Sequence, residues 1–372
     1  MRLAVPKETR AGETRVAATP ESIRKFKNLG LDLTVQAGAG MGAHIADADY
    51  QAAGAVIAPD LAATLADADI ILKVRGPAPD EIALLKRGAV VAALLAPHAE
   101  AEAIAALAGA GVTAFAMELL PRISRAQSMD VLSSQSNLAG YKAVIDAAAA
   151  FGRAMPMMMT AAGTIAPARV LVMGVGVAGL QAIATAKRLG AIVSATDVRP
   201  ATKEQVESLG GTFVAVMDEE FAQAQTAGGY AKPMSEEYQK KQAALIAETI
   251  KKQDIVITTA LIPGRKAPVL VSAEMIATMK PGSVIVDLAA GAGGNTPLSK
   301  PDETVQVHGV TIMGPTNLPG ALSADASALY ARNLFNFVSL LVDAKTGQLA
   351  IDWNDEIVKG AVVTRDGEAI SR

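Results

Sequence analysis

The sequence has no cysteine among its 372 residues. Disulfides, thiolate zinc centres and cysteine nucleophiles are therefore excluded, and the absence fits a reducing compartment. Aromatic residues make up 3% of the chain and the formal net charge is -3. With neither a basic face to track phosphates nor a set of base-stacking rings, nucleic acid is not an expected partner. The three histidines, His44, His98 and His308, are isolated and show no zinc spacing, so no metal site is expected. No apolar run is long enough to cross a bilayer, and the apolar part of the MRLAVPKE start is too short for a signal-peptide core. A cytoplasmic location is expected, and work at a membrane would require another protein as anchor.

Apolar residues are plentiful, at 51%, enough for two packed cores in a chain of this length. Short apolar runs alternate with Ala-rich helical patterns, the arrangement of parallel sheets covered by helices on both faces. One series of strands is predicted at Arg2 to Val5, Leu31 to Gln36, Ile70 to Val74, Gly88 to Leu95 and Val112 to Met117, with helices at Pro20 to Leu29 and Ala99 to Ala108. A second begins at Ala168 to Gly174 and continues through Ile192 to Asp197, Thr212 to Val216, Asp254 to Ala260 and Ser283 to Ala289. A sixth strand is predicted near Val305 to Gly314. This is a six-strand dinucleotide-binding pattern. Long helices are predicted over SSQSNLAGYKAVIDAAAAF and over Ser323 to Val342.

The expected fold is α/β: two Rossmann-like, doubly wound parallel-sheet domains with a cleft between them. Residues 1–132 with 318–372 would form an N-terminal domain completed by the C-terminal segment. Residues 133–317 would form an inserted nucleotide-binding domain, hinged by the two long helices. Asp218 to Glu237 fits neither series; it is polar, has Gly228 and Gly229 before Tyr230, and reads as a surface loop or a lid. The methionines Met155 to Met159 read as core or interdomain packing. Asp287 follows a buried strand where an open α/β sheet places its cleft, so it either lines the site or bonds a loop backbone.

Gly174-Val-Gly176-Val-Ala-Gly179 follows a predicted strand and opens a helix expected over Gln181 to Leu189. Gly174 would allow the tight turn, Gly176 the close approach of a pyrophosphate, and Gly179 the packing of helix on strand. Asp197 ends the second strand, where a carboxylate accepts from adenosine ribose hydroxyls. A 2′-phosphate about 4 Å away would be repelled by roughly 1 to 4 kcal/mol per charge, which favours NAD over NADP. Arg199, two residues on, reads as solvated or lying over the adenine. Between the Val112 strand and the long helix stands PRISRAQSMD (Pro121 to Asp130), in which Arg122, Ser124, Gln127 and Asp130 interrupt an Ala- and Leu-rich stretch. A ligand-binding loop is expected there.

The VPKE start, Arg15 in ETRVAATPE, RISRAQSMD, SSQSNLAGYKAV, MMMTAAGT, the glycine fingerprint, TDVR, ATKEQVESLGG, TAGGYAK, TTALIPG and MKPGSVIVDLA occur across the whole chain. In these motifs the sequence resembles the NAD(H)-binding component, or domain I (alpha subunit), of proton-translocating NAD(P) transhydrogenase. Alanine dehydrogenase shares the two-domain plan. The resemblance to that second family implies a substrate-holding pair, Arg15 and Lys73, but its proton-transfer histidine and aspartate fall here on Leu94 and Gly291, and His98 lies four positions late. Arg15 and Lys73 could equally be a buried ion-pairing or hydrogen-bonding set. Transhydrogenation needs no proton transfer at the reacting carbons, only placement of two nicotinamide rings with water kept out.

The transhydrogenase resemblance implies that Arg122, Gln127, Asp130 and Ser133, with Ile123 and Ser124, position the nicotinamide of NAD(H). It places Val177 and Ala178 at the pyrophosphate turn, Asp197, Val198 and Arg199 around the adenosine, and Gln242 and Leu261 in the pocket lining. Gly229 and Tyr230 would close over the cofactor. It further implies NADP(H) on a separate subunit, a membrane-spanning proton-channel subunit that holds this chain at the inner (cytoplasmic) membrane, and a homodimer. An amino-acid dehydrogenase and a non-enzymatic NAD(H)-sensing module, signalling through closure of the Tyr230 loop, are the alternatives.

Overall fold

The computed structural model describes residues 1–224, 234–262 and 264–370. Contacts divide the chain into two compact units, Met1–Gln135 with Pro319–Arg372, and Ser136–Leu318.

Six strands of the first unit precede the second unit in sequence: β1 (Arg2–Val5), β2 (Asp32–Gln36), β3 (Val56–Ala58), β4 (Ile70–Arg75), β5 (Val90–Leu94) and β6 (Thr113–Ala116). All pair in parallel, in the order β6-β5-β4-β1-β2-β3. Their apolar side chains alternate between two buried clusters. Leu3, Val5, Leu72, Val74 and Phe115 lie in one; Ala4, Ile71, Val91 and Ala114 lie in the other. Burial on both faces is why these strands read as continuous hydrophobic runs. The three-residue β3 at the edge had no such run to betray it.

In the second unit, β7 (Met158–Thr160) and β8 (Gly163–Ile165) form a separate hairpin. The main sheet is built from β9 (Arg169–Met173), β10 (Ile192–Thr196), β11 (Thr212–Phe213), β12 (Ile255–Thr258), β13 (Val284–Asp287), β14 (Thr304–Val307) and β15 (Val310–Met313). Their order is β11-β10-β9-β12-β13-β15-β14, parallel except for the β14–β15 pair. The single sixth strand expected near Val305 to Gly314 is thus a hairpin. His308 and Gly309 both have positive φ, 54° and 77°, as a two-residue turn of the primed type requires. Histidine gives no sequence cue for that conformation. The methionine expectation also needs correcting: Met155 is buried, but Met157 and Met159 are 60% and 74% exposed on the hairpin side.

The chain then returns to the first unit. A 16-residue helix, Ser323–Val338, ends four residues short of the expected Val342, where the short pair β16 (Val342–Asp343) and β17 (Gln348–Leu349) begins. After it, β18 (Val362–Arg365) lies antiparallel to β6, and β19 (Glu368–Ala369) extends that edge, giving an eight-stranded sheet. Both domains are therefore mixed α/β with parallel-dominated sheets. Among the described residues, no helix is long and apolar enough to cross a membrane.

Candidate functional site

The glycine turn lies at the carboxyl end of β9, the position at which open α/β sheets bind ligands. Gly174 has φ +99°, a conformation that L side chains rarely adopt, and a Cβ there would stand 2.5 Å from Thr259 Oγ1. The helix that follows is Val177–Arg188, beginning four residues earlier than expected, with Gly176 as its N-cap residue. A Cβ on Gly179, inside its first turn, would sit 1.9 Å from the Gly174 carbonyl oxygen. A Cβ on Gly176 would meet nothing within 4 Å. Gly174 and Gly179 are therefore demanded by the protein's own packing, whereas space at Gly176 is left open on the turn. That is the fit a pyrophosphate requires: backbone amides at a helix start, with room to approach them. Gly140, unremarked in the sequence, lets the helix Val131–Ala150 approach this element, since its Cβ would come 2.0 Å from the Ala178 carbonyl oxygen.

Asp197 follows β10, and its Oδ2 accepts from the Val175 N–H at 2.7 Å, fastening the strand end to the glycine turn. Its other partner corrects the expectation for Arg199. The guanidinium is neither free in solvent nor extended outward. Nε donates to Asp197 Oδ1 and Nη2 to Oδ2, both at 2.9 Å, with a further bond from Nη2 to the Val175 carbonyl at 3.2 Å. The Asp197 hydrogen bond raises the Arg199 pKa above its ordinary value. Val198 and Leu261 are exposed, at 52% and 55%. Gln242 braces the sheet edge: its Nε2 donates to Thr196 Oγ1 and its Oε1 accepts from the Val216 N–H. Gly229 and Tyr230 lie outside the described residues.

Behind the turn, Asp287 is fully buried and bonds loop backbone, accepting from the N–H groups of Ala289 and Asn295 and from the Thr258 hydroxyl. Asn295 was not anticipated. Its amide donates to the carbonyls of Ala260 and Pro268 and accepts from the Ala260 N–H, so one buried side chain fixes the backbone beside Leu261.

In the first unit, the segment expected to be a loop is the 3-10 helix Ser124–Met129. Ala126 and Met129 are buried in the core, and Ile123 packs against it, while Arg122, Ser124 and Gln127 face outward. The segment is braced from beneath. Asn333 and Asn336 each donate to the Ser128 carbonyl at 2.9 Å, and Arg125 makes two 2.7 Å bonds to Asp355. Asp130 caps the next helix through the Ser133 N–H and hydroxyl.

Arg15 and Lys73, 3% and 1% exposed, have their charges met inside the same unit. Arg15 makes paired 2.7 Å bonds to Glu13, which Arg75 also reaches at 2.9 Å, and it donates to Gln135. Lys73 donates to Glu81 at 2.8 Å and lies 3.6 Å from Glu8. Burial opposes ionisation of Glu13, but the Arg15 bonds and the nearby Arg75 charge hold its carboxyl below the ordinary value. Burial wins at Glu8, whose carboxyl is raised despite Lys73. Leu94 packs against the core and Gly291 is exposed, so neither supplies a titratable side chain.

The families described as alanine dehydrogenase/PNT, N-terminal domain and C-terminal domain, match residues 4–139 and 143–372. The chain belongs to the alanine dehydrogenase/PNT family. Within it, the chain is 58% identical to an NAD(P) transhydrogenase subunit alpha chain of Rhodospirillum rubrum, over 100% of this chain and 98% of that one. Alanine dehydrogenase of Halomonas elongata is 33% identical over 100% of this chain and 95% of the relative. The crystal structure of transhydrogenase from Sinorhizobium meliloti matches with a TM-score of 0.91 and 54% identity, covering 100% of both chains. The higher identities place this family member with the transhydrogenase alpha subunits, as an oxidoreductase component.

Proposed function

We propose that this chain binds NAD(H) and exchanges a hydride directly with NADP(H) held on a partner subunit, coupled to proton translocation by a membrane-spanning subunit. The supporting observation is the turn from Gly174 to Gly179 tied through the Val175 N–H to Asp197. The open space at Gly176 suits a pyrophosphate, and a carboxylate at residue 197 suits a ribose without a 2′-phosphate. Residues 133–317 would serve as the NAD(H)-binding domain, with Val177, Ala178, Val198, Arg199, Gln242 and Leu261 among its contacts.

Bound NADH would supply the hydride from its nicotinamide C4. The chain's role is placement: Arg122, Ser124 and Gln127, outward on a segment braced by Asn333, Asn336 and Asp355, would orient carboxamide and ribose, with Asp130 and Ser133 behind them. Holding reactants at near-attack distance supplies much of such a rate. The groups at Leu94 and Gly291 cannot move protons, which disfavours reductive amination. A homodimer is supported by the exposed Met157, Met158, Met159 and Ile165 on the β7–β8 hairpin, a second copy being the covering proposed. Attachment to the cytoplasmic face of the inner membrane would come through the partners. NADH titration of the isolated chain, followed by hydride-transfer assays with NADP(H)-binding and membrane subunits added, tests the proposal.

A further inference from the structure

We infer that Arg199 is an internal competitor for the ribose position on Asp197, so that nucleotide binding exchanges a guanidinium for two ribose hydroxyls. The inference rests on the NAD(H) reading of this site. A carboxylate offers about four acceptor positions, two on each oxygen. At Asp197 all four are filled: Oδ1 accepts from the Arg199 N–H and Nε, both at 2.9 Å, and Oδ2 accepts from the Val175 N–H at 2.7 Å and Arg199 Nη2 at 2.9 Å. The two backbone donors are fixed by the strand end and the glycine turn. The two side-chain donors are not, because Arg199 is joined to the site only through its flexible stem.

Departure of the guanidinium would open one position on each oxygen, the arrangement that two vicinal hydroxyls need. The carboxylate side chain is 6% exposed and the Arg199 side chain 33%, so the arginine is the outer member of the pair and can leave without unpacking the core. Its place in discrimination follows. Once it has moved, Asp197 presents uncompensated charge to position 2′ and repels a phosphate there; while it stays, neither ribose can bind. Arg199 thereby gates the adenosine end.

The test is NADH titration of the full-length chain as wild type, Arg199→Gln and Arg199→Lys, alongside an NADH analogue lacking both adenosine-ribose hydroxyls. Removing the competitor is expected to tighten NADH binding by about threefold or more, the scale of a partly exposed ion pair. The lysine variant should fall between, and the analogue should gain nothing. Should Arg199→Gln fail to fold, Arg199→Lys carries the same comparison. Equal or weaker NADH binding by folded variants, or an equal gain for the analogue, overturns the inference. Wild type that binds no NADH would instead overturn the NAD(H) reading itself.

Discussion

Asp130 accepts two hydrogen bonds from Ser133, from the N–H at 2.9 Å and from the hydroxyl at 2.5 Å, at the start of a 20-residue helix. Two residues assigned by family resemblance to nicotinamide positioning thus hold each other and a helix end. Asp130→Ala should cost about 1 kcal/mol of stability, as loss of a cap does. Asp130→Asn keeps a good cap and removes the charge. Slower hydride transfer in the asparagine variant, with an unchanged melting temperature, is expected if the charge serves positioning; full activity would leave Asp130 a cap alone.

Gly176→Ala and Gly179→Ala should separate ligand space from protein packing. A Cβ at Gly179 meets the Gly174 carbonyl oxygen at 1.9 Å, so that variant is expected to lose thermal stability as well as NADH binding. At Gly176 the protein offers no obstacle, so the alanine variant should fold normally yet bind NADH more than about tenfold less well, roughly 1.4 kcal/mol. Calorimetry and NADH fluorescence titration check both, and normal NADH affinity in Gly176→Ala would exclude a close backbone approach by the pyrophosphate.

Much of this was legible in the sequence for physical reasons. Strands buried on both faces, such as Val170 to Met173, announce themselves by continuous apolar runs, and Gly174 and Gly179 by requirements that no other residue meets. Arg199 was not legible, because a long exposed side chain chooses its partner by local geometry rather than spacing. Nor was Asn295, whose partners Ala260 and Pro268 are brought to it by loops remote in sequence. The turn at His308 and Gly309 lacked the usual asparagine signal.

Glu13 offers a pH test in the first unit. Its carboxyl is held below the ordinary value of 4.5 in the folded chain, so its stabilising contribution is present above about that pH and lost as the pH falls through the folded value. Glu13→Gln would leave Arg15 and Arg75 without their carboxylate, a loss of about 3 to 5 kcal/mol for a buried pair. The gap in unfolding free energy between wild type and variant should be wide at pH 7 and narrow as acid protonates Glu13. A gap that does not change with pH would exclude ionised Glu13 as its source.

Asn295→Ala should leave the Ala260 N–H and the Ala260 and Pro268 carbonyls without their buried partner, at about 1 to 3 kcal/mol per unsatisfied group. Faster hydrogen exchange at the Ala260 amide is the expected signature. Unchanged protection would mean that the loop beside Leu261 is held by other bonds.

The most direct measurement is hydride transfer from NADH to NADP in the reconstituted complex of this chain with NADP(H)-binding and membrane subunits, run beside an assay of the chain alone with pyruvate, ammonia and NADH. Transfer only in the complete complex, with no alanine formed, is the expected result. Alanine formation by the chain alone, or no transfer from NADH in a correctly assembled complex, would contradict it.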